Sequence, residues 1–152
     1  MKKLTINGIE LHTRTDGDGR RGTVVMSNSL MSNLRMWDRQ IPPLVDAGFT
    51  VVRYDSRGHG ESAVPDGPYT VEMLADDAAG LIDALELGPV HFCGLSKGGM
   101  VAQMIAKRHP DKVSSLAICA SAARMAPASM WDEPVEAARA NGMSALVDGT
   151  VD

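Results

Sequence analysis

The sequence predicts an α/β protein in which an N-terminal hairpin leads into a mostly parallel sheet flanked by helices. Short apolar strand-like runs alternate with amphipathic stretches at βαβ spacing. Asn7-Gly8 lies between two alternating segments, the strongest short-range hairpin signal. A Gly94-x-Ser96-x-Gly98 sequence falls between a predicted strand and a predicted helix.

The elements follow in order. Residues 4–6 and 9–13 form the hairpin, and a charged glycine loop spans 15–22. Residues 23–28 read as a buried strand through Val24, Val25 and Met26. Over 33–47, Leu34, Trp37, Ile41, Leu44 and Val45 recur at helical spacing; Pro42-Pro43 should kink or split that helix, and Gly48 should end it. A second buried strand covers 49–54, followed by a turn-rich loop over 55–68. Thr70 is placed to cap a helix running to Leu85, with Met73, Leu74, Leu81, Ile82 and Leu85 inward. Then come a strand at 89–93, a helix at 98–108 stopped by Pro110, a strand over Val113–Cys119 and a helix at 132–140. All strands after the hairpin should be parallel, because each crossover is too long for a tight turn.

Bulk properties narrow the function. A chain of 152 residues with 44% apolar and 22% charged residues supports one domain with a real core. A net charge of −4 with mixed signs gives no electrostatic case for nucleic acid or an anionic membrane. No run reaches transmembrane length, and polar residues interrupt the N-terminus too early for a signal-peptide apolar region. Cys93 and Cys119 lie in apolar runs without a CxxC pair, which predicts buried free thiols and fits a reducing, cytoplasmic setting.

The chemistry concentrates at Gly94-Leu95-Ser96-Lys97-Gly98-Gly99-Met100. Small neighbours let a strand and a helix approach while the serine hydroxyl projects from a strained turn above the strand's carboxyl end. The Lys97 N–H would face a developing oxyanion at a helix N-terminus. The bland reading is a glycine-rich βα turn with a capping serine; the strand–turn–helix context favours the elbow.

Three blocks, in the right order, resemble the α/β-hydrolase family: Met26-Ser27-Asn28-Ser29-Leu30 as oxyanion strand and loop, Asp55-Ser56-Arg57-Gly58-His59-Gly60-Glu61-Ser62 as the D-x-R-G-x-G-x-S turn, and the elbow. With Met36-Trp37-Asp38, they are most similar to the 3-oxoadipate enol-lactonases of aromatic-compound degradation. The resemblance implies Ser96 as nucleophile, the backbone N–H groups of Leu30 and Lys97 as oxyanion hole, a small lactone or ester substrate, and no cofactor or metal. It also implies a core over residues 1–121 and the opening of a cap over 122–152. Lys97 stands where close relatives often have methionine, and Met31 where glycine is common.

A serine nucleophile needs a base, usually a histidine oriented by a carboxylate, in the family order Ser, Asp or Glu, His. After Ser96 the sequence offers only His109, at a helix end beside Pro110. His59 is expected to shape its turn, His91 to start a strand at the wrong end, and His12 to sit in the hairpin. The acid and base are therefore expected outside this chain, together with the last core strands. The apolar strand Val113–Cys119 would then be an exposed edge, a template for association with the missing C-terminal part or another copy.

Other motifs carry less. Gly17-x-Gly19-x-x-Gly22 precedes a strand and reads as a loop. The turn at 58–63 nearly fits the same pattern but leads into no helix. Asp76-Asp77 is expected on a solvated face. Met31 and Met125 are candidate pocket linings, and Trp131 fits either a cap or simple helix packing. The rival readings are a general carboxylesterase or haloperoxidase-like enzyme of the same fold, and a non-catalytic fragment.

Overall fold

The computed structural model describes residues 2–124 and 127–146. The hairpin consists of β1 (Lys2–Ile6) and β2 (Ile9–Asp16). Asn7 and Gly8 join them with φ of 50° and 81°, the doubly positive turn that matches strand twist. The remaining strands are β3 (Thr23–Ser27), β4 (Thr50–Tyr54), β5 (Val90–Leu95) and β6 (Val113–Cys119). One six-stranded sheet runs β1-β2-β4-β3-β5-β6. β4, β3, β5 and β6 are mutually parallel, and β2 meets β4 antiparallel.

This order sets the site. From β3 the chain crosses to β4 on one side, then returns past β3 to β5 on the other. The winding therefore reverses between β3 and β5, which pair directly up to Ser27 opposite Gly94. In open parallel sheets, ligands bind at the carboxyl ends of such a switch point.

Alternation along the strands separates two cores. Val25, Val52, Val90 and Phe92 face α2 (Val71–Ala84) and α3 (Lys97–Arg108), which supply Leu81, Ile82, Val101 and Ile105. Val24, Met26 and Val51 face Trp37 and Ile41 on the opposite side.

Several boundaries differ from expectation for local reasons. Residues 33–47 form a 3₁₀ turn, Leu34–Trp37, and a separate helix α1, Ile41–Asp46. The segment is thus split, one of the two outcomes expected of Pro42-Pro43; both prolines lie in the first turn of α1, where a missing N–H costs nothing. α2 begins after Thr70, whose hydroxyl accepts from the Met73 N–H at 3.1 Å. α4 (Asp132–Asn141) ends at Gly142 and buries no residue.

Two expectations are corrected. Cys93 and Cys119 are both free thiols, but Cys93 is half-buried and Cys119 is exposed, since β6 is the edge strand of the sheet among the described residues. Leu116 and Ile118 are likewise exposed on that strand, as an apolar edge should be. Asp77 is not on a solvated face. It is buried, and its two oxygens accept from Arg57 Nε at 2.6 Å and Nη2 at 2.7 Å. Asp76 instead pairs with Arg108 and His109, which hold its carboxyl below the usual range.

The fork between Arg57 and Asp77 joins the loop after β4 to α2 in a desolvated place. Removing one partner leaves the other charge buried and alone. Asp77→Ala should lower the unfolding free energy by about 3–5 kcal/mol. Urea denaturation measures it, and a double replacement of Arg57 and Asp77 by leucine and methionine should recover most of the loss.

Candidate active site

Ser96 sits between β5 and α3 with φ 54° and ψ −112°. Such a conformation is costly for a residue with a Cβ, and the surroundings must enforce it. Close packing does so. A Cβ on Gly94 would lie 2.0 Å from the Gly98 carbonyl oxygen, and one on Gly98 would lie 2.1 Å from that of Ser27. The elbow is thus wedged against β3 by two residues without side chains. The Ser96 N–H donates to the Cys119 carbonyl at 2.9 Å, and its own carbonyl accepts from Gly99 and Met100, starting α3. The serine is half-buried, and its hydroxyl has no hydrogen-bond partner among the described residues.

The second wall is the loop after β3. Asn28 Oδ1 accepts from the Trp37 indole N–H at 3.2 Å. The Ser32 hydroxyl lies 2.9 Å from the Ser29 carbonyl and 3.1 Å from the Met36 sulfur. Met31 adopts φ 57°, the left-handed region in which glycine is at ease, and its side chain is exposed. Leu30 is exposed. Among the described residues, neither the Leu30 N–H nor the Lys97 N–H has a backbone acceptor.

The third wall is the loop after β4. Asp55 is buried, and its carboxylate accepts from the Leu34 N–H at 2.7 Å, the Glu61 N–H at 3.0 Å and His12 Nδ1 at 2.8 Å. A Cβ on Gly60 would fall 2.2 Å from that carboxylate, so only glycine closes the loop over it. His59 sits in this loop as expected. Its Nδ1 is 3.1 Å from the Arg57 carbonyl, which assigns the ring proton to Nδ1 and leaves Nε2 as an acceptor. That Nε2 faces Lys97 Nζ at 3.5 Å. Burial pushes the His59 ring below its ordinary value, and the Lys97 charge adds to the effect. Burial likewise pushes Lys97 down to about 8.

Sequence reasoning placed Ser96, Leu30 and Lys97 at the sheet's carboxyl end, where the structure also brings them. It missed Asp55 as a hub, and the contact between His59 and Lys97. A signal for the first was available: Asp55 directly follows an apolar strand, where a carboxylate is buried only if several donors meet it. Among the described residues no histidine hydrogen-bonds Ser96: His12 engages Asp55, His59 engages Arg57 and Lys97, His91 engages Ser115, and His109 engages Asp76. Among the pocket candidates, Met125 lies outside the described residues, while Trp131 is exposed. No group of side chains that could hold a metal ion occurs among the described residues. No described helix is long and apolar enough to cross a membrane.

The alpha/beta hydrolase fold family model matches residues 22–150, and the chain belongs to that family. Within it, the chain is 35% identical over 143 residues to 3-oxoadipate enol-lactonase 2 of Acinetobacter baylyi, covering 94% of this chain and 53% of that protein. The crystal structure of the enol-lactonase from Burkholderia xenovorans LB400 superposes with a TM-score of 0.91 at 44% identity, over 97% of this chain and 57% of that one. A thermophilic esterase from Thermogutta terrifontis superposes with a TM-score of 0.87 at 31% identity, over 98% of this chain and 57% of that one. The chain therefore spans about half the length of the curated enol-lactonases it matches.

Two outcomes test this geometry. Ser96→Gly relieves the strained backbone and should raise stability by about 1 kcal/mol, read by chemical denaturation; a loss of stability would show that the turn is unstrained. For Lys97, the folded value of about 8 lies below the ordinary 10.5, so the unfolded chain holds the proton more tightly. The charged lysine then disfavours folding at neutral pH, and the penalty fades as pH rises from about 8 to 10.5. Lys97→Met should accordingly raise Tm at neutral pH, with the gain disappearing toward the upper end of that window.

Proposed function

We propose that Ser96 is the nucleophile of a serine hydrolase that opens a lactone or ester, most like the enol-lactonases among its relatives. The observation that carries this reading is Ser96 itself: a non-glycine residue at φ 54°, wedged at the sheet's switch point, with no hydroxyl partner among the described residues. A structural serine would relax or cap the helix; here strain is retained and the hydroxyl is left free.

In this reading Ser96 Oγ attacks the substrate carbonyl as a base takes its proton. The Leu30 and Lys97 N–H groups receive the oxyanion. The tetrahedral intermediate collapses with cleavage of the acyl C–O bond, and the leaving oxygen takes the proton back. Water then attacks the acyl-serine and releases the acid. For a lactone, both fragments remain one ring-opened molecule. No step needs a metal or cofactor. In this reading the acid and base come from outside this chain, because none of its described histidines hydrogen-bonds Ser96. Residues 1–121 serve as core and 122–152 as the opening of a cap, in keeping with the lack of any buried residue in α4. The enol-lactonase assignment is preferred to a general esterase because two relatives with that name cover 94% of the chain.

The 152-residue chain should therefore be a very poor hydrolase by itself. A serine hydroxyl without a base is a weak nucleophile, and an oxyanion hole and binding alone sustain only about 10³–10⁴-fold over water in stripped triads. Purified chain is assayed with an enol-lactone and an activated ester. Activity restored by adding the C-terminal half of a relative, with fluorophosphonate labelling of Ser96, supports the proposal. Full turnover by the chain alone that Ser96→Ala abolishes would require a base within it and refute the expectation.

A further inference from the structure

Lys97 presents an unusual combination. Its side chain is half-buried, yet its ammonium forms no ion pair with a carboxylate among the described residues. The neighbouring charge is Asp55, whose carboxylate already accepts three hydrogen bonds from other groups. Among the described residues Nζ meets His59 Nε2 at 3.5 Å, and the bond from the ring's Nδ1 to the Arg57 carbonyl fixes that ring as an acceptor. A cation drawn partly out of water with no counter-ion costs stability. It is also anchored to the residue whose backbone N–H is the proposed oxyanion donor, so the ammonium stays within one lysine side-chain length of that N–H.

We propose that Lys97 is a positioning residue whose ammonium, oriented by His59, supplements the backbone oxyanion hole with a side-chain positive charge. This inference rests on Ser96 being the nucleophile. The Lys97–His59 contact also joins the elbow to the loop after β4, so the charge is set by two elements and not by a free side chain. A carbonyl oxygen carries little charge in the ground state and nearly a full one in the tetrahedral intermediate. A nearby cation in a partly desolvated site therefore acts mainly on the transition state. Because the ammonium does not itself hydrogen-bond the oxyanion, its effect should be smaller than that of removing a donor. The lowered value of about 8 sets where the contribution fades. The titratable groups facing it are His59, held neutral as an acceptor, and Asp55, which favours the protonated lysine.

The test uses the chain complemented with the C-terminal half of a relative, and a neutral activated ester, so that substrate charge plays no part. In the wild type, kcat should fall with an alkaline limb near pH 8. Lys97→Met should lower kcat about tenfold at neutral pH with little change in KM, as expected for a charge acting through space. Lys97→Arg should restore most of kcat and remove the alkaline limb, since arginine does not deprotonate in this range. A change in KM alone, an unaltered kcat in Lys97→Met, or an alkaline limb that persists in Lys97→Arg would overturn the proposal. Ser96→Ala separates the two readings. If it abolishes turnover while the Lys97 variants behave like wild type, the hydrolase reading stands and this inference falls. If it leaves turnover intact, the nucleophile assignment itself is wrong, and the inference fails with it.

Discussion

The Asp55 carboxylate connects three parts of the chain that are far apart in sequence. One oxygen accepts from the Leu34 N–H, at the start of the 3₁₀ turn that ends the loop after β3. The other accepts from His12 on β2 and from the Glu61 N–H at the far end of its own loop. The Ser62 hydroxyl, 2.6 Å from the Asp55 carbonyl and 2.8 Å from the His12 nitrogen, closes the same knot. A carboxylate removed from water requires donors, and here backbone groups supply two of them. Loop backbone that would otherwise be free to wander is thereby tied down. Two walls of the site, the β3 loop carrying Leu30 and the β4 loop carrying His59, share this one anchor.

The third wall is held by shape instead of charge. Gly94 and Gly98 let β5, α3 and β3 approach so closely that a methyl group at either position would overlap a carbonyl oxygen. The strain in Ser96 follows from this packing, because the chain has no room to relax. Gly99 extends the cradle, where a Cβ would meet Ser121 and Ile118 at the edge strand. The serine geometry therefore depends on β6 remaining in place, through the Cys119 carbonyl that accepts from the Ser96 N–H. An exposed edge strand with unpaired backbone groups is a weak support for a strained turn, which couples the behaviour of the elbow to whatever covers β6.

The fold was legible because its signals are local and redundant. Asn7-Gly8, Thr70, Gly48 and the strand–turn–helix context of Ser96 each specify backbone geometry within a few residues, and the structure agrees at each. Pro42 and Pro43 were read as a break because proline is hostile to helix interiors; a helix start accommodates them equally well, and periodicity alone does not distinguish the two. What stayed hidden depends on contacts across long sequence separations. Asp77 looked solvated because its neighbour Asp76 is surface-like, yet helical phase turns the second carboxylate inward to Arg57, twenty residues upstream. The exposure of Cys119 agrees with the edge expected for Val113–Cys119 and overrides the buried thiol that its apolar run alone suggested.

Arg57 and Lys97 show how the same region treats two cations differently. Arg57 is buried against a bidentate carboxylate with good geometry, which raises its already high affinity for the proton. Its charge is neutralised locally and serves to hold the loop to α2. Lys97, one residue beyond the candidate nucleophile, is drawn out of water without such a partner and is left with a neutral histidine nitrogen. Methionine at this position would fill comparable space without the desolvation cost. A charge kept where an apolar side chain would serve stability better is more economically explained by what it does to a nearby reaction than by what it does for the fold. The contrast also separates the two cations physically: the field of the Arg57–Asp77 pair largely cancels at a distance, whereas that of an ammonium without a carboxylate partner among the described residues does not.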